Sequence, residues 1–349
     1  MNQELILWSK KNYSQLPWRK KRTLYKTLVS EIMLQQTTVA TVRHHFGPFL
    51  EKYPDIYSLA QTTEEDICIA WKGLGYYRRA RNLRKAAINI VDDFDGKIPL
   101  NLSQLKTIPG IGEYTAQAIL GIGGNKRALA VDANLERVLS RLFCIEDEKG
   151  LKLQKRLRSL FEDNKILKNA EALGYRDLNE SLMDLGRICC QAKRVNCLIC
   201  PLFKECLARE RERPLDFPVN LKPTKGKDLF ELKLLRVVVR KREKILVYKK
   251  EEKHWLAGQK ELPTFIISTN DDSLKQYPRL DNDKQIMLKG LKKFKTSITK
   301  YNITNYIYEM ALSDWKNFST NMDCDYKFVS DNTEVENLST ATMKALKII

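Results

Sequence analysis

Up to about Arg211, apolar positions recur three and four apart with polar residues between them, the period of helices that bury one face. Leu24, Leu28 and Ile32, followed beyond Gln35-Gln36 by Val39 and Val42, form one such run. Gly73 and Gly75, Gly96, Pro99, Pro109-Gly110, Gly123-Gly124 and Gly150 punctuate the region into separate helices. From Arg211 to Asp228 the period disappears. Pro214, Pro218 and Pro223 stand there among Lys222, Lys225, Gly226 and Lys227, a composition that reads as a linker. Beyond it, Leu232 to Val239, Lys244 to Tyr248 and Ile303 to Met310 are rich in β-branched and aromatic residues, as strands are. The pattern predicts a mainly α domain over 1–210, a linker over 211–227 and a smaller α+β domain over 228–349.

With 349 residues, two domains can each bury a core. The chain carries 61 Lys+Arg against 43 Asp+Glu, a formal charge of +18. The excess is uneven: residues 228–349 hold 22 basic and 17 acidic side chains, residues 1–227 hold 39 and 26. A polyanionic partner is therefore expected on the first part, where Lys and Arg displace condensed counterions; charge alone fits a solvated basic surface equally well. No apolar run approaches the roughly 20 residues that span a bilayer. The start Met1-Asn-Gln-Glu-Leu lacks the basic opening of an export signal. A cytoplasmic monomer with no membrane partner is expected.

Cys190, Cys197, Cys200 and Cys206 are spaced C-x6-C-x2-C-x5-C. In a reducing compartment, thiols crowded this closely hold metal more often than they form disulfides. A zinc site usually shows two C-x2-C pairs or histidine ligands, and no histidine occurs between His45 and His254. Four thiolates without histidine suit a [4Fe–4S] cluster; zinc, or cysteines that merely pack, are the alternatives. Cys189 reads as a buried neighbour, and Cys68, Cys144 and Cys324 as ordinary core residues.

Leu105 to Ala116, reading L-K-T-I-P-G-I-G-E-Y-T-A, has the form of a helix–hairpin–helix. Pro109 stops the first helix, and Gly110 and Gly112 allow a tight turn with exposed amides. Those amides, at the start of a helix from Glu113, suit a DNA phosphate without reading its base.

This hairpin, followed by the cysteine spacing, resembles the endonuclease III superfamily of DNA-repair glycosylases, and within it the adenine DNA glycosylases of the MutY type. The segments that carry the resemblance are Leu16-Pro17-Trp18-Arg19, Ser30 to Thr37, Gly73-Leu74-Gly75-Tyr76-Tyr77, Val131-Asp132-Ala133-Asn134 and Met183-Asp184-Leu185-Gly186. The resemblance implies a helical glycosylase domain with a [4Fe–4S] loop, then a Nudix-like domain. It also implies double-stranded DNA containing a mismatched adenine as partner.

Cleaving an N-glycosidic bond leaves an anionic purine and a cationic sugar, and two carboxyl groups answer these separately. Glu31 lies in the apolar run Leu28 to Leu34, where burial would raise its pKa and keep a proton available; a surface glutamate is the bland reading. The resemblance makes Glu31 the acid that protonates adenine. Asp132 suits a helix cap; the resemblance makes it the carboxylate beneath the sugar, with Asn134 orienting it. Ala133 replaces the family's usual glycine. Tyr114 stands where bifunctional relatives have a lysine, so a monofunctional enzyme is expected. The target base must be everted, with Gln36 implied as the wedge and Tyr76 stacking near the opposite strand. Gln35, Trp18, Arg19 and Glu180 match positions around the adenine pocket. Arg78, Arg79 and Arg81 read as solvated or phosphate-facing.

In the second domain, Trp255 to Phe265 resembles the family's tryptophan–glycine–proline segment, and no R-E-x-x-E-E signature for magnesium follows. The family reads 8-oxoguanine through a phenylalanine–serine–histidine loop. Ile298-Thr299-Lys300 corresponds to it here, with Thr299 in place of the serine. The expected function is removal of adenine opposite 8-oxoguanine or guanine. The rivals are a thymine glycosylase acting on G·T mismatches and a non-catalytic Fe–S protein that binds damaged DNA.

Overall fold

The computed structural model describes residues 3–168, 170–219, 229–251, 253–280, 287–318, 324–332 and 335–349. Two compact units divide the chain, Met1–Lys222 and Pro223–Ile349.

The first unit is helical: α1 (Gln3–Tyr13), α2 (Leu24–Leu34), α3 (Val39–Lys52), α4 (Ile56–Gln61), α5 (Glu64–Ala70), α6 (Arg78–Phe94), α7 (Leu102–Thr107), α8 (Glu113–Ala118), α9 (Ala133–Leu142), α10 (Leu151–Glu162), α11 (Ala170–Leu173), α12 (Tyr175–Ile188) and α13 (Leu207–Glu210). Several starts are fixed by side-chain caps that satisfy an otherwise orphaned amide. Thr23 accepts from Lys26 N, Thr38 from Thr41 N and Asn101 from Gln104 N. α8 runs on into a wider π-helical turn, Ile119–Gly123.

Among the described residues, two larger apolar cores lie inside this unit, beside a small cluster of Ala118, Ile122 and Ala130. The first gathers Leu28, Ile32, Phe46, Phe49, Leu59, Trp71, Leu83 and Ile90. The second gathers Leu5, Leu135, Leu139, Leu153, Leu157, Leu178 and Leu182. Truncating a fully buried leucine such as Leu28 to alanine is worth about 2–5 kcal/mol. α2 belongs to the first core and α9 to the second, which sets the C-terminal half of one helix and the N-terminus of the other around a common cleft.

Of the expected linker 211–227, residues 220–227 lie outside the described residues. Residues 211–219 are packed rather than loose: Phe217 is buried, its carbonyl accepts from Arg141 Nε at 3.0 Å, and Val219 exchanges backbone hydrogen bonds with Asp147 and Lys149. Prolines there mark a turn held by neighbours that the local composition does not reveal. Cys68 and Cys189 are buried, whereas Cys144 and Cys324, expected in a core, are only half-buried.

Among its described residues, the second unit is a seven-stranded mixed sheet with two helices. Its strands are β1 (Phe230–Lys241), β2 (Lys244–Lys249), β3 (Lys260–Glu261), β4 (Thr264–Thr269), β5 (Lys293–Ile298), β6 (Tyr301–Met310) and β7 (Tyr326–Ser330); α14 (Leu312–Phe318) and α15 (Thr340–Ile348) accompany them. The strand order is β3-β2-β1-β6-β5, with β4 also on β1 and β7 on β2. β1 runs parallel to β6, Leu232 opposite Ile303, and antiparallel to β4, Leu235 opposite Phe265. From Leu234 to Val239 β1 is buried on both faces, its apolar run interrupted only by Arg236. Inside the sheet Arg236 pairs with Glu261 at 2.8 Å. Among the described residues no helix is long and apolar enough to cross a membrane.

Candidate active site

Glu31 sits in the C-terminal half of α2 between Ser30 and Ile32 and is only 6% exposed. The apolar run that places it also strips it of water. Burial raises its carboxyl pKa to about 7; the charges of Glu180 and Asp132 push the same way, while a hydrogen bond from Tyr114 and the charge of Arg22 oppose. The Tyr114 hydroxyl donates to Glu31 Oε2 at 2.7 Å, and burial holds that phenol well above its ordinary range.

Asp132 is the N-cap of α9. Its Oδ1 accepts from Asn134 N at 2.9 Å and Leu135 N at 2.7 Å, and its Oδ2 from Asn134 Nδ2 at 2.8 Å. Burial raises its pKa against those hydrogen bonds. Capping is thus one function of the residue, and a carboxylate facing a cavity is another. Ala133 opens the helix and is not among the residues with positive φ, so its methyl group meets no backbone strain.

Both carboxyl groups line one cavity of about 1120 Å³, together with Trp18, Arg19, Gln35, Gln36, Gly110, Gly112, Tyr114, Asn134 and Glu180. Arg19 forks onto Asp184 at 2.8 and 3.1 Å, and its Nε lies 3.2 Å from Glu180 Oε1. Ser9 Oγ donates to Asp184 at 2.6 Å, and Arg22 pairs with Glu180. Gln35 Nε2 donates to Thr115 Oγ1 at 3.2 Å. Trp18 is almost wholly buried, edge-on to Phe46. Sequence reasoning missed Arg22 as the partner of Glu180, and Asp184, Leu151, Gln154 and Arg158 as parts of this wall. The last three recur at helical spacing on α10, which was the available signal.

At the hairpin, Gly110 takes φ +81°, and a Cβ there would meet Asn82 Cβ at 2.7 Å, so turn and packing both demand glycine. Gly112 caps α8 with no side chain, which leaves the first amides of the helix uncovered. Gln36 and Tyr76 both hold left-handed backbones, φ +52° and +49°, and Tyr76 is 62% exposed. Tyr76 does not line the cavity.

Arg79, expected in solvent or on phosphate, is buried. Its guanidinium donates to the carbonyls of Ile32, Met33, Gln35, Leu74 and Gly75 and to Thr37 Oγ1. Within a run of arginines its burial is invisible, because Ile32, Met33, Gln35 and Thr37, at and after the end of α2, lie more than 40 residues earlier.

Cys190, Cys197, Cys200 and Cys206 line one small cavity with Cys189, Arg141 and Arg209, and no histidine or carboxylate lines it. Arg141 Nη1 donates to Cys190 Sγ at 3.2 Å, and Arg137 Nε to the Cys190 carbonyl at 2.7 Å. Burial, reinforced by neighbouring thiols, pushes the Cys200 thiol up to about 12 and raises those of Cys197 and Cys206. As thiolates they would call for a cationic group beside them, and an all-sulfur donor set suits a soft one. Among the described residues no three His, Cys, Asp or Glu side chains are gathered as for a single ion; thiolates that bind separate irons need not converge on one point.

Thr299 belongs to the second unit. It sits at the β5–β6 hairpin with φ +49°, exposed beside Lys300.

The family described as HhH-GPD superfamily base excision DNA repair protein matches residues 29–163. An adenine DNA glycosylase of Buchnera aphidicola subsp. Schizaphis graminum is 32% identical over 339 residues, covering 95% of this chain and 93% of its own. The human adenine DNA glycosylase is 35% identical over 217 residues, 59% of this chain and 39% of its own. A solved thermostable thymine-DNA glycosylase superposes with a TM-score of 0.51 at 28% identity, over 60% of this chain and 94% of its own.

Proposed function

The chain belongs to the adenine DNA glycosylase family within the HhH-GPD base excision repair superfamily, and on that footing we propose that it removes adenine mispaired with 8-oxoguanine or guanine. The bond broken is the N-glycosidic bond, water supplies the new oxygen at the sugar, and an abasic site remains. One observation carries the reading: a single cavity holds a buried acid that titrates at about 7 and a second carboxyl fixed by three hydrogen bonds.

The everted adenine enters the cavity, and Glu31 in its neutral form donates a proton to it as the bond lengthens. Tyr114 occupies Oε2 as donor, so the proton of the neutral acid rides on Oε1. Asp132, fixed by Asn134 and the amides at the start of α9, stabilises as a carboxylate the positive charge growing on the sugar. After the base leaves, Glu31 is a carboxylate able to take a proton from the attacking water. The pair Arg19–Asp184 holds the wall bearing Glu180 against adenine's polar edge. Gln36 and Tyr76 enter the duplex as the base leaves it, and the hairpin around Gly110 and Gly112 grips phosphate. Tyr114 has no amine, so the strand stays whole. Cys190, Cys197, Cys200 and Cys206 would hold a [4Fe–4S] cluster, which when bound cross-links the loop that Arg137 and Arg141 tie to α9. Thr299 offers a hydroxyl to 8-oxoguanine.

Duplexes with adenine opposite 8-oxoguanine, guanine or thymine, and a G·T duplex, test the reading. Adenine release from the first two, with breaks only after alkali, is expected. Release of thymine without adenine would replace the proposal with the G·T reading, and breaks before alkali would remove its monofunctional part.

A further inference from the structure

Two loops leave the first core toward the same side, one closing α2 through Gln35, Gln36 and Thr37, the other running through Leu74, Gly75 and Tyr76 into α6. Each contains a residue other than glycine in the left-handed region, Gln36 and Tyr76, a conformation that persists only where surroundings impose it. The last carbonyls of α2 have no partner within the helix. Instead, Ile32 O and Met33 O each accept from Arg79 Nη1 at 2.8 Å, and Gln35 O accepts from the same nitrogen. Nη2 of the same side chain donates to Thr37 Oγ1 at 2.9 Å, Leu74 O at 2.8 Å and Gly75 O at 3.0 Å. Thr37 Oγ1 also reaches Leu74 O at 3.3 Å, so the two loops touch directly where the guanidinium joins them. The guanidinium lies 5.5 Å from the Trp71 ring and 5.6 Å from that of Tyr76. Arg79 itself starts in the first turn of α6, its amide bonded to Tyr76 O at 2.8 Å.

We propose that Arg79 is a positioning residue: a buried clamp that fixes the loops of Gln36 and Tyr76 relative to each other, so that both side chains meet the duplex together and hold the target base everted. The inference rests, for its functional readout, on the adenine-excision reading above. Arg79 touches no substrate in this scheme. Its planar fork serves acceptors on both sides at once, which a lysine ammonium, a single compact donor, does not reproduce. Adenine has a buried acid waiting for it in the cavity, but the base must be brought there and kept, and a misplacement of about 1 Å can lower rate a hundredfold.

The test uses the full chain as Arg79→Lys and Arg79→Met, with a duplex bearing 2-aminopurine, a fluorescent adenine isostere, opposite 8-oxoguanine. Both variants are expected to bind undamaged duplex with the parental dependence on salt, because the hairpin is untouched. Eversion fluorescence and single-turnover adenine release should fall together, by roughly a hundredfold in rate. Amide hydrogen exchange should rise over 34–37 and 74–76 and stay parental over 108–113. A folded Arg79→Lys protein with parental eversion and release overturns the clamp. So does loss of release with parental eversion and parental loop exchange. If the parent itself releases no adenine, the excision reading falls, and loop exchange alone decides for or against the clamp. Should neither Arg79 variant fold, Thr37→Val removes one of the six acceptors: faster exchange over 74–76 supports the clamp, and unchanged exchange overturns it.

Discussion

Glu31 stands where opposing influences meet: burial and the nearby Glu180 and Asp132 favour the acid, Tyr114 and Arg22 favour the carboxylate, and burial prevails at about 7. With its folded pKa above the ordinary 4.5, the group contributes stability that is complete below 4.5 and lost as pH rises through about 7. The loss amounts to roughly 3 kcal/mol. Glu31→Gln, neutral at every pH, is therefore expected to melt higher than the parent at pH 8 and close to it at pH 5, and to release adenine about 10²-fold more slowly or worse. The parental rate should itself decline as pH rises through about 7, where the donor loses its proton. Thermal melts and single-turnover rates across pH check both halves. This residue was legible because an acidic side chain inside an apolar helical run has few bland explanations. Arg79 was not, since its neighbours Arg78 and Arg81 make it look like one more surface cation.

At the scale of elements, the N-terminus of α9 joins stability and chemistry in one side chain. Asp132→Asn keeps an oxygen to accept from Leu135 N but removes the charge. Its expected cost in folding is below about 1 kcal/mol, while adenine release drops by orders of magnitude; denaturant melts beside excision rates separate the two roles. The cysteine loop is the second such element. Burial raises the pKa of its thiols, and the cluster proposed for it would hold them as thiolates. Cys200→Ser should lose iron, sulfide and visible absorbance, and lower the melting temperature, which metal analysis and calorimetry measure. The cysteine spacing made this loop readable in the chain, as Pro109 and the two glycines did the hairpin. The packing of 211–219 escaped notice because Phe217 and Val219 are held by Arg141, Asp147 and Lys149, more than 60 residues earlier.

In the molecule as a whole, the excision chemistry proposed above lies in the first unit, and the second carries Thr299 on an exposed β5–β6 hairpin. On the proposed role of Thr299, Thr299→Ala should leave adenine release opposite guanine near the parental rate and narrow the advantage of 8-oxoguanine over guanine. Parallel single-turnover assays on the two duplexes measure the ratio. A loss of equal size on both would assign Thr299 to folding rather than lesion reading.

The periodicities of the chain determined two kinds of architecture, helical before residue 211 and stranded after it, because the 3.6 and 2 residue repeats are local properties of the backbone. Residue type at short spacing likewise marked the hairpin and the thiol set, whereas the two carboxyl groups were singled out with the help of the family resemblance. Tertiary structure alone decided that α2 and α9, from separate cores, open onto one cavity, and that burial there outweighs every hydrogen bond to Glu31. It alone decided, too, that one arginine closes two loops. Desolvation and shared acceptors depend on what the fold brings alongside a side chain, and no local pattern carries that information.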